Sequence, residues 1–566
     1  MGSVIKKKIK NGTYYYYTES KRVNGKPTLV NQKYLGTAEQ LLTKVLAAEL
    51  PLQERVITSD VYDFGAVTML YDLADRLGIV SLIDNFVPKK KQGISVGMYL
   101  LTEAMNRAVK PKTTNKLEDW FGGTCLPHIT GIPAKSFTAQ NFWNNTKISE
   151  DTIQGIEDAL LKKIVETYDI DCSHLIYDAT NFFTYIDTKQ PCETAKRGHS
   201  KEKRNDLRIV GLSLMVSTDF SIPLLHDTYP GNRPDSLQFP LMIQSLKRRY
   251  ERITGKKSEV TVVFDRGNNS EQNMNLLESG DIPFHYVGGL KRNQAPELFS
   301  IDKSEYTVMD PVRFPGHRAY RKKITVFNRE VTAVIVHNEE LERGQLQGID
   351  HNIKTTTQLL LAEQKRLMMR ANKEITGGKK PTAESITEKV KKILHKEYMN
   401  EIFSWEVLEK DGNLYLSFGE SKGALSRLCD RELGKTVLFT DRQDMTNEEI
   451  VGMYRSAWHV ESGFRQLKDT SHLTVRPIHH WTDDKIRVHI FACVLGYRLC
   501  CLLQRELAAH GINLSIGTLL EEMATLQKVT TFFRAEKKPE VVESYTSGSE
   551  LSQVVDNIYN LKEKYR

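Results

Sequence analysis

The sequence predicts a mixed α/β sheet with flanking helices, interrupted by a strand-and-helical-hairpin insertion and preceded by a small β sheet and a helical region. Three observations predict it. Short apolar, β-rich runs at 174–177, 209–217, 222–229, 260–264 and 284–288 are interleaved with amphipathic helical patterns at 235–252 and 270–278. The first three runs follow one another without a helix and read as an antiparallel meander. The later runs are separated by helices and read as parallel strands with crossovers. Length is the third observation: 566 residues suggest three or four domains at about 150 residues each.

Composition narrows the class. Apolar residues make up 40% and charged residues 27%, which excludes a disordered chain, a collagen and a small disulfide scaffold. The seven cysteines (Cys125, Cys172, Cys192, Cys429, Cys493, Cys500, Cys501) form no Cys-x-x-Cys pair. Neither a zinc ribbon nor a disulfide framework is supported, and a reducing, cytoplasmic compartment is expected. Met1 to Lys10 is lysine-rich without the apolar core of a signal peptide. The stretch from Ile490 to Leu503 is interrupted by Arg498 and reads as too short for a bilayer, so no membrane is expected. The net charge of +8 points only mildly to a polyanionic partner.

Taken in order, residues 1–36 read as a small β sheet, with hairpin turns at Asn11-Gly12 and Asn24-Gly25. Its lysines and tyrosines suit either an edge-protecting pattern or a nucleic-acid contact. Residues 37–168 read as a helical DNA-binding or support domain, with helices from Phe64 to Leu77 and Ser95 to Ala108. The basic turns Lys89-Lys90-Lys91 and Lys110-Pro111-Lys112 punctuate it. Residues 169–300 form the first part of the sheet. Within 301–440, strands from Lys322 to Val336, long helices from Glu339 to Asn372 and from Pro381 to Tyr398, and a hairpin around Asp411-Gly412 read as an insertion. Residues 441–510 return to the core, opening on a capping box at Thr446 and Glu449, with one helix expected to run through Asp469. Residues 511–566 are expected to be helical.

The chemistry starts with two aspartates. Asp178 follows Leu175-Ile176-Tyr177 and Asp265 follows Val262-Val263-Phe264. Each is expected to end a buried strand, where parallel sheets place their ligands. Two carboxylates converging there repel unless a cation sits between them, and hard divalent ions such as Mg²⁺ prefer oxygen ligands. Either Asp alone could simply cap a strand end. The third element is the segment from Tyr454 to Lys468. Tyr454, Glu461 and Lys468 are spaced by seven, so one helical stripe would present a phenol, a carboxylate and an ammonium. Arg465 falls on that stripe and Trp458 close to it. The alternative is a solvated face with a chance spacing. A run of six basic residues lies between Lys196 and Arg208, among them Lys201 and Arg204. Beside such a site it reads as a DNA-tracking loop rather than a plain solvated loop. Trp458 or Trp405 could stack on a base, although core packing is the ordinary fate of a Trp.

These segments resemble the DDE transposases of bacterial insertion sequences, in the group with a Tyr-Arg-Glu-Lys signature and a β-rich insertion before the last acid. The matching boxes are Tyr177-Asp178-Ala179-Thr180, Phe264-Asp265-Arg266-Gly267 and Tyr454 to Lys468. Arg197-Gly198-His199-Ser200-Lys201 with Asp206-Leu207-Arg208, and Tyr229-Pro230-Gly231-Asn232 with Asp235, are similar to further boxes. The likeness runs from about 170 to 500. It implies a ribonuclease-H-like core with Asp178, Asp265 and Glu461 as catalytic metal ligands. Two Mg²⁺ ions, replaceable by Mn²⁺, are implied as cofactors. Tyr454, Lys468, Lys291, Arg292 and Arg266 are implied DNA contacts. The signature Arg is Ala457 here, and helical phase favours Arg465 over Arg455 as its substitute.

The implied activity is cleavage at element ends, then transfer of the 3′-hydroxyl ends into target DNA. The implied partners are double-stranded DNA, at terminal inverted repeats and at the target, and a second copy of the chain. No protein nucleophile is needed, unlike recombinases that attack through Ser or Tyr. Two other readings stand beside it: a different ribonuclease-H-like nuclease such as a resolvase, and a catalytically silent DNA-binding derivative.

Overall fold

The structure, a computed structural model, describes residues 2–9, 12–23, 26–49, 56–187, 189–255, 259–280, 284–535 and 538–566. It divides into two compact units. The first comprises Met1–Ile156, Gln466–Arg476 and Asp484–Arg566; the second comprises Glu157–Arg465 and Pro477–Asp483.

The first unit opens on three antiparallel strands, β1 (Gly2–Ile9), β2 (Gly12–Val23) and β3 (Lys26–Gly36). Apart from Gly12, the two predicted turn pairs lie outside the described residues. Lysines and tyrosines pack across the strands: Lys7 Nζ lies 5.1 Å from the Tyr16 ring centroid, and the Tyr16 and Tyr34 rings are 5.2 Å apart. The helices Gly65–Arg76 and Val96–Val109 form where the apolar spacing predicts them, and the Ser95 hydroxyl caps the second.

Two expectations fail in this unit. Strand β4 (Val56–Asp63) pairs with Gln527–Phe533, which pairs with Glu540–Tyr545. The C-terminal region is therefore not wholly helical. Most side chains of β4 face solvent, so no apolar alternation announced it. The helix Asp483–Ala509 spans 27 residues and is long and apolar enough to cross a membrane, contrary to the short stretch expected. Its most apolar window is 94% buried, so here it serves as a core helix. Gly496 allows this packing, because a Cβ there would lie 2.6 Å from the Ala104 carbonyl oxygen.

The second unit carries the sheet. Its strands are β5 (His174–Thr184), β6 (Arg208–Ser217), β7 (Pro223–Pro230), β8 (Val260–Phe264), β9 (Phe284–Leu290), β10 (Thr307–Val308), β11 (His317–Val326), β12 (Arg329–Asn338), β13 (Phe403–Lys410), β14 (Asn413–Glu420) and β15 (Lys435–Thr440). Nine of them form one sheet in the order β10-β11-β12-β15-β9-β8-β5-β6-β7. β5, β6 and β7 are the antiparallel meander, and β5-β8-β9 are parallel. The helices Asp235–Thr254 and Glu271–Glu278 make the crossovers. This is the ribonuclease-H-like arrangement of strands the resemblance implies.

The region 301–440 does not leave the sheet as a single block. β10, β11, β12 and β15 extend the sheet beyond β9. Only the chain between β12 and β15 builds a separate lobe, on the helices Glu339–Ala371 and Ala383–Ile393 and the hairpin β13-β14. Asn338 caps the first of these helices by accepting from the amides of Glu340 and Leu341, and Glu339, Glu340 and Glu342 occupy its first turn. The lobe has its own apolar core, centred on Leu360, Leu367, Leu394, Met399 and Ile402, and Trp405 packs against it.

Candidate active site

The register of two parallel strands places the first two acids. Tyr177 on β5 is the partner of Phe264 on β8, and this pair is the last of the parallel ladder. Asp178 and Asp265 are the next residue on each strand, so they emerge side by side. Asp178 does not end its strand as expected, because β5 runs on to Thr184 through its pairing with β6. It marks the end of the parallel pairing. Its Oδ1 accepts from the Ala179 amide at 2.7 Å. Partial burial pushes its carboxyl up to about 6; the Lys201 ammonium opposes this, while the negative charges of Asp265 and Asp235 add to it. Asp265 caps the short turn at Arg266–Asn268, its Oδ2 accepting from the Gly267 amide at 3.4 Å.

The third acid comes from a helix that is not the one expected. The capping box at Thr446 and Glu449 forms as the sequence predicts. The helix it starts ends at Arg455, and a second begins at Trp458 and runs to Lys468. At the break the Ser456 amide is shared between the carbonyls of Gly452 and Met453. The Ser456 hydroxyl donates back to the Met453 carbonyl at 2.5 Å. Such back-bonding competes with the helical ladder and bends it. The single seven-residue stripe therefore does not exist across 454–468.

Tyr454 and Glu461 nevertheless reach one place. Tyr177, Asp178, Lys201, Phe264, Asp265, Tyr454, Arg455, Ala457, Trp458, Val460 and Glu461 line a cavity of about 520 Å³. Arg465 and Lys468, one and two turns beyond Glu461 on the same helix, are not in its lining. Arg455 is in it, with its guanidinium hydrogen-bonded to His317 Nε2 and 5.1 Å from the Phe314 ring centroid. Trp458 is 57% exposed, which overturns the preference for core packing. Its ring stacks on His459 at 4.0 Å, and His459 Nδ1 is 2.7 Å from the Ser221 hydroxyl.

The remaining predicted contacts divide. Lys201 lies at the cavity, bonded to the Ala179 carbonyl and 2.9 Å from the Asp235 carboxylate. Arg204 is turned to Asp206 in a two-pronged pair at 2.8–2.9 Å. Arg266 and Arg292 line a second cavity of about 540 Å³, where Arg292 pairs with Glu432 of the lobe. Tyr454 borders both cavities. Lys291 is exposed beside them. Tyr454 passes over Gly289, where an added Cβ would come within 2.7 Å of its hydroxyl. Burial, with Asp265 adding, raises the Tyr454 phenol above its ordinary range.

Sequence reasoning passed over two features. Asp235 holds Lys201 and accepts from the Tyr229 hydroxyl at 2.9 Å. The box containing Tyr229 and Asp235 was the available signal. Asp483 anchors the strap leading to the basic loop, accepting from the Thr194 amide at 2.6 Å and the Glu193 amide at 3.1 Å. Burial opposes its ionisation, but hydrogen bonds from Thr194, Glu193 and Cys192 outweigh that and hold its carboxyl down to about 2. Because this pKa lies below the unfolded value, the stabilisation is present at neutral pH and is lost as pH falls from about 4 through about 2. Asp483→Asn should cost about 1 kcal/mol at pH 7, allowing for solvent screening. In urea melts at descending pH, its gap from the unaltered chain should close.

Residues 171–499, more than half of the chain, match the family model described as the transposase DDE domain. The chain belongs to this transposase family. Its activity is therefore that of a DNA transposase in general terms. No curated protein matches it. Among solved structures it is similar to a piggyBac transposase synaptic complex with hairpin DNA. That likeness is 9% identity over 81% of this chain and 78% of the other, with a TM-score of 0.38.

Asp178, Asp265 and Glu461 suit a hard divalent ion in kind, since ionised carboxylates are acceptor-only oxygen ligands. They line one cavity without meeting: among the described residues, no three His, Cys, Asp or Glu side chains are grouped closely enough to hold an ion.

Proposed function

We propose that the chain cuts DNA at the ends of an insertion sequence and joins the freed 3′-hydroxyls to target DNA. Asp178, Asp265 and Glu461 would hold Mg²⁺, or Mn²⁺ in its place. The observation that carries this reading is the shared cavity: the first two acids leave adjacent parallel strands one residue beyond their last pair, and the third lines the same space. When bound, the metal supplies positive charge to the phosphoryl oxygens and lowers the pKa of the attacking water or hydroxyl. Holding one ion among all three acids requires their carboxylates to come closer together than they stand in this structure.

In cleavage, a water oxygen bonds to phosphorus and the bond to the 3′-oxygen breaks. The products are a 3′-hydroxyl and a 5′-phosphate. In transfer, that 3′-hydroxyl bonds to a target phosphorus and a target 3′-oxygen leaves. Lys201 and Arg455 supply the positive charge that positions phosphates in the cavity, and the Tyr454 hydroxyl supplies a further donor. The exposed Trp458 ring offers a stacking platform for an unpaired base, worth about 1–3 kcal/mol. Coordinated cutting of two ends calls for two copies of the chain.

The test is a nicking assay on duplex DNA carrying the ends that flank the coding sequence. Mg²⁺-dependent nicks at the terminus support the reading. Random cutting would instead mark a general nuclease, and binding without cutting a silent derivative. Within this reading Arg455 takes the place of the signature Arg. Arg455→Ala should slow terminal cleavage by about 10-fold or more, one lost phosphate contact at about 1.4 kcal/mol. Arg465→Ala should change it less than about 2-fold. Equal effects would reject the assignment.

A further inference from the structure

A second basic site stands in the first unit. It is a cavity of about 500 Å³ lined by Val61, Asp63, Lys110, Lys112, Lys116, Asp119, Trp120 and Gly123. We infer that it grips a phosphodiester group of the DNA backbone, through the ammonium groups of Lys110, Lys112 and Lys116. This rests on the transposase reading for the identity of the polyanion.

The turn carrying the lysines is built rather than loose. Asn106 is fully buried on the helix Val96–Val109. Its amide nitrogen donates to the Lys110 carbonyl at 3.2 Å, and its oxygen accepts from the Lys112 amide at 3.2 Å. Arg107, also buried, donates to the Lys112 carbonyl at 3.3 Å and to the Thr474 carbonyl at 2.9 Å. Two buried polar side chains thus fix Lys110-Pro111-Lys112 before any ligand arrives. On the strand side of the cavity, β4 is tied to the end of the helix Leu117–Gly122 by the Asp63 amide donating to the Gly123 carbonyl at 2.9 Å. A merely solvated lysine turn has no need of such support, and preorganisation lowers the cost of binding.

Trp120 also lines the cavity, is 6% exposed, and is placed to report on what enters it. The charge balance fits a phosphodiester better than a free multiply charged nucleotide. Lys110 lies 3.9 Å from Asp63 and Lys116 lies 3.0 Å from Asp119, while Lys112 has no carboxylate partner among the described residues. The net positive charge is small, which suits one singly charged backbone group in a salt-sensitive contact.

Two measurements on the full chain test this, both with a short random-sequence duplex, since a backbone contact does not depend on sequence. In the first, tryptophan is labelled with ¹⁵N in the indole ring and the Trp120 resonance is assigned by its absence in Trp120→Phe. Adding duplex to the unaltered chain should shift that resonance, and inorganic phosphate at the same concentration should leave it nearly still. In the second, the dependence of log affinity on log salt is measured for the unaltered chain and for Lys112→Gln. The slope should fall by about 0.9 in the variant, one phosphate contact fewer. A still resonance with duplex, or an unchanged slope, overturns this inference and leaves the transposase reading intact. A shift with phosphate alone marks an adventitious anion site and also overturns it. Failure of the unaltered chain to bind duplex at all would overturn both.

Discussion

Asp178→Asn is expected to abolish terminal cleavage and yet to stabilise the metal-free protein. The two effects have one origin. The carboxyl is held up to about 6 by partial burial, and the Asp265 and Asp235 charges add to that. The folded chain therefore resists the charge that a metal ligand must carry. A folded pKa above the unfolded value means stability is greatest at low pH and declines as pH rises through about 6. At pH 7 the neutral amide removes that penalty. Asn can keep the hydrogen bond from the Ala179 amide, so the local backbone is retained. Discounting the shift for the side chain's exposure gives about 1–2 kcal/mol, read as a higher melting temperature in chelator. Cleavage should fall by well over the about 10–100-fold that follows loss of a residue merely supporting a metal ligand. A variant that loses activity and stability together would show that Asp178 has only a structural role.

Gly231→Ala should give the largest loss of stability outside the apolar core. A Cβ at Gly231 would overlap the backbone carbonyl of Ile209 at the start of β6. The neighbouring box packs just as tightly: a Cβ at Gly198 would stand 2.5 Å from the Gly231 carbonyl oxygen. Backbone pairs bind these segments together, with Lys196 and Ile209 exchanging amide hydrogen bonds and the Gly231 amide donating to the Thr194 carbonyl. Neither collision can be relieved by rotating a side chain. We expect a cost of about 3 kcal/mol or more, at the upper end for overpacking. Gly289→Ala makes the contrast. The atom it meets is the end of the Tyr454 side chain, so it should cost little stability while displacing Tyr454 from the cavity. Thermal melts of the two variants side by side would show the difference.

Local signals in the sequence carried much of this architecture. Apolar runs leading to Asp178 and Asp265 named two strands. Thr446 caps the helix it was expected to cap, and Asp411-Gly412 turns the hairpin β13-β14. These features depend on residues a few positions apart. What was not legible depends on residues far apart or on tertiary choice. Nothing in 301–440 says that β11 and β12 will join β15 and extend the main sheet. β4 lacks apolar alternation because it is held mainly by backbone pairing to a strand near the other end of the chain. Ser456 is compatible with a helix interior, and only the structure shows it bonded back to Met453. The guanidinium at the cavity is that of Arg455, just before the break, and not that of Arg465.

The central claim is that Asp178, Asp265 and Glu461 act on one cation pocket, and Mn²⁺ binding followed by electron paramagnetic resonance tests it most directly. In the presence of DNA, the unaltered chain should bind Mn²⁺, and Asp178→Asn, Asp265→Asn and Glu461→Gln should each weaken that binding by at least about 10-fold, while Asp206→Asn, which alters only the pair with Arg204, should not. Mn²⁺ affinity that is unchanged in Glu461→Gln would contradict the account, because the helix would then hold its acid apart from the other two.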